Sequence, residues 1–338
     1  KDFTASVIAQ KFKVNATKGN RNNHIGLPLS VLSTEEGDQV CVWEMGMSHA
    51  GEIAPLCQIA EPDIGIITNI GTAHIEFLKT REGIAEEKSA LARALPEQGT
   101  LILPASCDFV DYLIERTRAK VMIAGNCRGV VRAEDLRVTE TGSVFKLCID
   151  QQDEVPVELS VSGKHMVNNA LLAAATGHAL GMKSPEIAAG LSQAQLTGGR
   201  LQKYVSGGVS VIDDTYNANP DSVIAAIDTL VELPTHNGAR RLVVLGAMAE
   251  LGVHSDAEHR RVGKVAAEKN LTVVSVGDGA RKIYEGAIEV SDDVHQFDDA
   301  ESAALWIKDF CKEGDSALFK GSRMAGMEKV MNQAFPHN

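Results

Sequence analysis

The sequence predicts an α/β protein of two domains, each built on a mostly parallel sheet, the second of them doubly wound. Three observations predict it. Short apolar runs alternate with helix-like segments from Gln39 to about Gly125. The same alternation resumes near Leu201 and continues toward the C-terminus. Strands of a parallel sheet read as such continuous apolar runs, because helices cover both faces. Between the two stretches, from about Val130 to Ser162, polarity alternates around Thr141-Gly142, which predicts a hairpin-like excursion.

The elements follow in order. "KDFTASVIAQKF" puts Phe3, Val7, Ile8 and Phe12 on one helical face. Nothing before Lys1 can cap that helix, which leads to the expectation that the chain is a fragment. "QVCVWEMG", "DIGIITNIG", "TLILPA" and "AKVMIAG" are the strands of the first sheet. "HMVNNALLAAATGHALGM" reads as a buried, Ala-rich helix. "LTGGRLQ" is the linker, since Gly198 and Gly199 allow a hinge, and it divides the chain into domains 1–199 and 200–338. "GVSVIDDTYNANP" is a strand running into a loop, and "DSVIAAIDTLVEL" a helix. "RRLVVLGAMAELG" is a strand and loop, and "AEHRRVGKVAAEKN" a helix. "LTVVSVG", "DVHQF" and "DSALFKGSR" supply further strands, with the helix "AESAALWIKDFCKEG" between the last two.

Length agrees with about two domains. Of the 338 residues, 44% are hydrophobic and only 4% aromatic, an ordinary balance for a water-soluble α/β chain. The formal net charge of −12 argues against a nucleic-acid partner or an anionic membrane surface, while leaving room for a local basic phosphate pocket. Six cysteines (Cys41, Cys57, Cys107, Cys127, Cys148, Cys311) include no C-x-x-C pair and read as reduced thiols of a cytosolic protein. No apolar run reaches the roughly 18 to 20 residues that span a bilayer. No signal peptide is visible.

Ligands of open α/β sheets bind beyond the carboxyl ends of the strands. Glu44 ends "VCVWE", and Asn69 and His74 follow "IGIIT". Alone, each reads as an ordinary loop residue. Together on one rim, a carboxylate and an imidazole can hold a hard divalent cation beside phosphate oxygens. Lys88 lies in "IAEEKSALARAL" and reads as a solvated helical lysine beside Glu86 and Glu87. A reactive lysine there would need partial burial, which frees the neutral amine. "ATKGNRNNHIGLP" is a polar loop offering Thr17, Asn22 and Asn23 as donors. In "DDTYNANPDSV", Asn219 is an N-cap and Pro220 opens the first turn. That leaves Asp213, Asp214, Tyr216 and Asn217 unexplained at a strand end, where an acid commonly binds a ribose hydroxyl. "FKGSRMAGMEKV" repeats the geometry with Lys320, Ser322 and Arg323 before a helix, which suits a carboxylate or phosphate. The sequence contains no G-x-x-x-x-G-K-[ST] and no G-x-G-x-x-G opening a helix. The residues alone therefore give a two-domain α/β ligand-binding enzyme.

The combination of motifs resembles the Mur ligase family. The matching runs are "ATKGNRNNHIGLPLSVL", "WEMGMSHAGEI", "PDIGIITNIGTAHIEF", "EGIAEEKSAL", "SGKHMVNNALLAAA", "GGRLQ", "DDTYNANPDSVIAAIDTL", "LGAMAELGVHS…HRRVG" and "FKGSRMAGMEKV". They span nearly the whole chain in family order. "YNANP" with "KGSR…ME" resembles the type that joins D-alanyl-D-alanine to a UDP-N-acetylmuramoyl-tripeptide in peptidoglycan synthesis.

The resemblance implies a central ATPase-like domain and a C-terminal Rossmann-like domain, with ATP and Mg²⁺ as cofactors. It implies that Glu44 and His74 ligate Mg²⁺, and that Lys88 becomes a carbamate able to hold a second ion. Lys88, His74 and Arg200 are then the catalytic set. Asn69 and Asn217 lie beside the nucleotide, Asn169 matches the adenine-side asparagine, Arg200 reaches the γ-phosphate, and Asp214 matches the ribose-binding acid. Thr17, Asn22 and Asn23 face the UDP-muramoyl substrate, and Ser322 and Arg323 the incoming dipeptide. The implied reaction runs through an acyl phosphate, with closure of the C-terminal domain excluding water. A cytoplasmic monomer is expected, with no nucleic-acid or membrane partner. Three departures stand out: the family's UDP-binding domain and phosphate loop are not in the sequence, Met166 replaces a common asparagine, and Ala247 a frequent aspartate. The expected consequence is an incomplete chain inactive alone. Two other readings stay open: another Mur-type or folylpolyglutamate-synthase-like amino acid ligase, and a degenerate nucleotide-binding module.

Overall fold

The apolar runs become strands and the periodic segments helices, in two units. The structure, a computed structural model, describes residues 1–125, 129–139, 141–150, 153–234 and 238–336; Cys127 lies outside them. The first unit comprises Lys1–Arg137, Gly142–Ser160 and Lys164–Thr197. The second comprises Val138–Thr141, Val161–Gly163 and Gly198–Asn338.

The first unit opens with α1 (Asp2–Ile8), which buries Phe3, Val7 and Ile8. Phe12 lies beyond its end and is only half-buried. Then come β1 (Val14–Ala16), α2 (Gly26–Leu32), β2 (Val40–Val42), α3 (Ile53–Ala60), β3 (Ile64–Ile66), α4 (Ile75–Leu78) and α5 (Arg81–Ala94). These are followed by β4 (Thr100–Pro104), α6 (Val110–Ile114), β5 (Lys120–Ala124), β6 (Val131–Val138), β7 (Ser143–Ile149), β8 (Asp153–Leu159), α7 (Lys164–Ala179) and α8 (Ser184–Ser192). The main sheet has the order β3-β4-β5-β6-β7-β8. Pairing is parallel from β3 to β6 and antiparallel between β7 and β8. On β4, Leu101, Ile102 and Leu103 are wholly buried. Helix α7 packs on β4 and β5 and buries the unbroken run Ala170–Gly177, where small side chains let helix and sheet approach closely. Truncating Leu101 or Leu103 to alanine costs about 2–5 kcal/mol on the usual scale for core leucines.

One expectation needs correction and another holds. The strand read in "QVCVWEMG" is not part of the main sheet: β2 pairs in parallel with β1, Val14 opposite Val40, in a separate two-stranded sheet. Cys41 at its centre is exposed, which a strand covered on both faces would not allow. The hairpin-like excursion is present: β6 and β7 are neighbours in the sheet, joined by the short connection that contains Thr141-Gly142. Strand β6 also ties the excursion to the main sheet through Ala124 opposite Val131, and β8 adds an antiparallel partner to β7.

The second unit contains β9 (Gln202–Ser206), β10 (Val209–Asp214), α9 (Pro220–Glu232), β11 (Arg241–Leu245), α10 (Ser255–Glu268), β12 (Thr272–Val276), α11 (Arg281–Ala287), β13 (Val294–Phe297), α12 (Ala300–Phe310), β14 (Ser316–Lys320) and α13 (Met327–Ala334). The sheet order is β13-β12-β11-β14-β10-β9, parallel throughout except for β9 at the edge. The chain leaves a gap between β10 and β11 that β14 later fills, so the carboxyl ends of these three strands lie side by side. Asn219 caps α9 as the sequence predicts, its Oδ1 accepting from the Ser222 amide at 2.9 Å. No helix among the described residues is long and apolar enough to cross a membrane.

Candidate active site

In the first unit, Thr17 and Asn22 converge on Glu44. Buried Thr17 accepts through Oγ1 from the Glu44 amide at 2.9 Å. Asn22 Nδ2 donates to Glu44 Oε1 at 3.0 Å. The Asn22 side chain lies 2.7 Å from where a Cβ on Gly46 would be, so glycine at that position lets it reach the carboxylate. Asn23 is spent locally: its Oδ1 accepts from the amides of Ile25 and Gly26, at 3.1 and 2.8 Å, and so opens α2. One Glu44 oxygen is thus held, and the other has no hydrogen bond among the described residues.

Asn69 and His74 follow β3, whereas Glu44 follows β2 in the separate sheet, so the expected shared strand rim does not exist. The connection runs instead through the loops. The ring of His49, in the loop after Glu44, packs on Phe77 of α4 with centroids 4.4 Å apart. His74 is the N-cap residue of that helix, with φ 65° in the left-handed region. An L-residue held there stores strain that the surrounding loop must offset, a pattern frequent at functional sites.

Helix α5 sends three consecutive side chains to three places. Glu86 receives Arg93 at 2.7 Å and the Tyr112 hydroxyl at 2.5 Å, and these donors draw its carboxyl down to about 2. Glu87 is buried and accepts from the amides of Gly51 and Ile53, at 2.6 and 2.7 Å. Lys88 donates from Nζ to the Asn69 carbonyl at 2.8 Å. The solvated position read from the sequence does not hold: Lys88 is half-buried, and desolvation pulls its ammonium below the usual lysine range, against a small opposing pull from Cys107. Asn169 is exposed on α7, three residues after buried Met166, and the structure does not bring it into this cluster.

In the second unit, Asp214 ends β10 directly opposite Lys320, which ends β14. Lys320 Nζ lies 2.6 Å from Asp214 Oδ2 and donates to the Asn217 carbonyl at 2.9 Å. Asp214 Oδ1 accepts from the Leu201 amide at 3.3 Å. Burial pushes the Asp214 carboxyl up, and the Lys320 ammonium opposes that rise. Exposed Arg200 lays its guanidinium over the Tyr216 ring, 4.6 Å from the centroid. Gly199, with φ 70°, lets its carbonyl accept from the Tyr216 amide at 3.1 Å. Arg200, Asp214 and Asn217 therefore gather at one strand end.

Ser322 is buried and its amide donates to the Ala247 carbonyl at 2.9 Å, while Arg323 is exposed and 3.8 Å from Glu328. The loop around Ala247 is itself pinned by His259, whose Nε2 accepts from the Met248 amide at 2.9 Å and whose Nδ1 lies 2.8 Å from the Ser255 carbonyl. Burial keeps this imidazole's pKa low, hence neutral.

Sequence reasoning missed Glu87 and His259 as site-shaping groups, and it read Lys320 as a cation for a bound carboxylate or phosphate, whereas its partner is Asp214. A carboxylate or histidine on the buried face of an amphipathic helix was the available signal for Glu87 and His259.

The donors suit a divalent cation only with help. No group of three or more His, Cys, Asp or Glu side chains able to hold a metal exists among the described residues. Glu44 offers one open oxygen. Mg²⁺ accepts such a partial set, because it keeps waters and takes phosphate oxygens as further ligands.

The Mur ligase middle domain profile matches residues 1–177, and the profile described as Mur ligase, glutamate ligase domain, matches residues 199–323. The chain is 34% identical over 335 residues to the UDP-N-acetylmuramoyl-tripeptide–D-alanyl-D-alanine ligase of Bacillus subtilis, covering 98% of this chain and 72% of that protein. A crystal structure of MurF from Acinetobacter baumannii superposes with a TM-score of 0.91 at 33% identity, over 99% of this chain and 73% of that one. The MurF ligase of Thermotoga maritima in complex with ADP superposes with a TM-score of 0.86 at 28% identity, over 99% and 76%. The chain belongs to the Mur ligase family of ATP-dependent ligases of peptidoglycan synthesis.

Proposed function

We propose that the protein joins D-alanyl-D-alanine to a UDP-N-acetylmuramoyl-tripeptide at the expense of ATP. The observation that carries this reading is the match to the Bacillus subtilis ligase of that name, over 98% of the chain. The terminal carboxylate of the tripeptide attacks the γ-phosphorus of ATP, the bond to the bridging oxygen breaks, and ADP leaves. The dipeptide's amine, having released its proton to water, attacks the acyl carbon. The carbon–oxygen bond of the acyl phosphate breaks, giving an amide and inorganic phosphate. Catalysis of this kind rests on positioning and charge neutralisation.

Glu44 and His74 would hold Mg²⁺, which supplies electrostatic stabilisation of phosphate charge when bound. Lys88 is the group for carbamate formation: its neutral amine attacks CO₂, a carbon–nitrogen bond forms, and one proton leaves. Its depressed pKa supports this, because more of the amine is free at a given pH. Asn69, whose carbonyl holds Lys88, keeps that amine in place. Asn169 serves the adenine side, Arg200 the γ-phosphate and Asp214 the ribose, with Asn217 beside the nucleotide. Thr17, Asn22 and Asn23 shape the loop for the UDP-muramoyl substrate, and Ser322 and Arg323 receive the dipeptide. The working division is a central ATP-binding domain, 1–199, and a C-terminal Rossmann-like ligase domain, 200–338, in a cytoplasmic monomer.

The test is ligation by the product of the complete reading frame, with ATP, Mg²⁺ and UDP-muramoyl-tripeptide. D-alanyl-D-alanine is compared with single amino acids as acceptor. Amide formation and phosphate release with the dipeptide alone are expected. Turnover only with another acceptor, or none in a folded protein, would overturn the proposal.

A further inference from the structure

Glu87 poses a problem of its own. A carboxylate on the buried face of a helix is costly unless donors satisfy it. Its relative exposure is 8%, and each of its oxygens takes one backbone amide, Gly51 at 2.6 Å and Ile53 at 2.7 Å. Both amides belong to the loop that leaves Glu44 and opens α3. Charge-assisted bonds of this kind are about twice as strong as neutral ones, and a negative charge at a helix N-terminus adds to them. The same loop is tied from within, since the Glu52 carboxylate accepts from the amides of Ser48 and His49 at 2.6 and 3.0 Å. It is tied outward by the His49 ring on Phe77, in the helix that His74 begins. The residue after Glu87 is Lys88, which holds the Asn69 carbonyl in the other loop.

We propose that Glu87 is a positioning residue. From one turn of α5 it locks the Glu44 loop while its neighbour locks the Asn69–His74 loop, so one rigid element sets the spacing of both metal ligands. An apolar residue would fill the same volume at lower cost but would leave two amides unpaired and the loop free to drift. This inference rests on the reading that Glu44 and His74 hold the divalent cation.

The experiment uses the complete protein, Mn²⁺ as the probe, ADP present, and free Mn²⁺ read by electron paramagnetic resonance. Glu87→Gln is expected to weaken Mn²⁺ binding roughly tenfold. In the metal-free protein it is expected to speed hydrogen exchange at the Gly51 and Ile53 amides by a similar factor. The Mg²⁺ concentration for half-maximal ligation rises, while the rate at saturating Mg²⁺ recovers to within about threefold of wild type. A purely structural Glu87 would instead lower the folded fraction and the rate at every Mg²⁺ concentration, with Mn²⁺ affinity per folded molecule unchanged; that result overturns the proposal. Phe77→Leu breaks the second tie without stranding a charge and is expected to weaken Mn²⁺ binding about threefold. Should Glu87→Gln fail to fold, wild-type affinity in Phe77→Leu overturns the proposal. Glu44→Ala and His74→Ala test the underlying reading separately. Wild-type Mn²⁺ affinity in both would remove the metal site itself, whatever Glu87 does.

Discussion

Two lysines, one in each unit, meet a low-polarity environment in opposite ways. Lys320 has a side chain only 3% exposed and a carboxylate at 2.6 Å, and its remaining bond goes to a carbonyl. Lys88 is less buried, yet among the described residues it meets no carboxylate, only the Asn69 carbonyl. Burial alone does not decide what a lysine does. With a counter-ion it is a structural cation that fixes two strand ends; without one it is an amine whose charge is penalised.

The comparison breaks most visibly at Lys320. Lys320→Ala leaves Asp214 buried without its counter-ion, and denaturant unfolding should show a loss of about 3–5 kcal/mol. Replacing both, Asp214→Leu with Lys320→Met, should restore most of that loss, because paired removal strands no charge. Lys88→Ala should do the reverse. Ligation by the complete protein falls about 10²–10³-fold, the scale of losing one preorganised charged group at a reaction centre, with little change in the unfolding midpoint.

A pH titration sharpens the contrast. The folded pKa of Lys88 is lowered, so between that value and the unfolded value near 10.4 the unfolded chain binds more protons. Stability relative to Lys88→Met should therefore rise with pH across that window, as the ammonium penalty disappears. The methionine variant is expected to be the more stable near neutral pH, with its lead shrinking toward about pH 10. The smallest effect belongs to a control that touches neither lysine. Asn219→Ala removes the N-cap of α9 and should cost about 1 kcal/mol, with both lysines unaffected.

Much of the frame was legible in the sequence, because it is written in local patterns. The runs at Ile64–Ile66, Thr100–Pro104 and Lys120–Ala124 are strands, and Asn219-Pro220 starts a helix. The edge strand β9 escaped, although Gly207-Gly208, at φ 58° and 78°, is the two-residue turn that announces a hairpin. Pairing between distant residues was not legible. Asp214 meets Lys320 through the register of β10 on β14, and no local pattern encodes that register. Glu86, Glu87 and Lys88 looked like one solvated charge run. Their different fates depend on what a helix turn of α5 faces: Tyr112 and Arg93, the loop at Gly51, and the loop at Asn69.

An uncompensated amine at Lys88, unlike a structural cation, can react with CO₂. Carbon-13 NMR of the complete protein equilibrated with labelled bicarbonate tests it most directly, on wild type and on Lys88→Gln. A protein-bound carbamate signal is expected in the wild type and is abolished by the substitution. A signal that survives in Lys88→Gln, or none in the wild type, would contradict it.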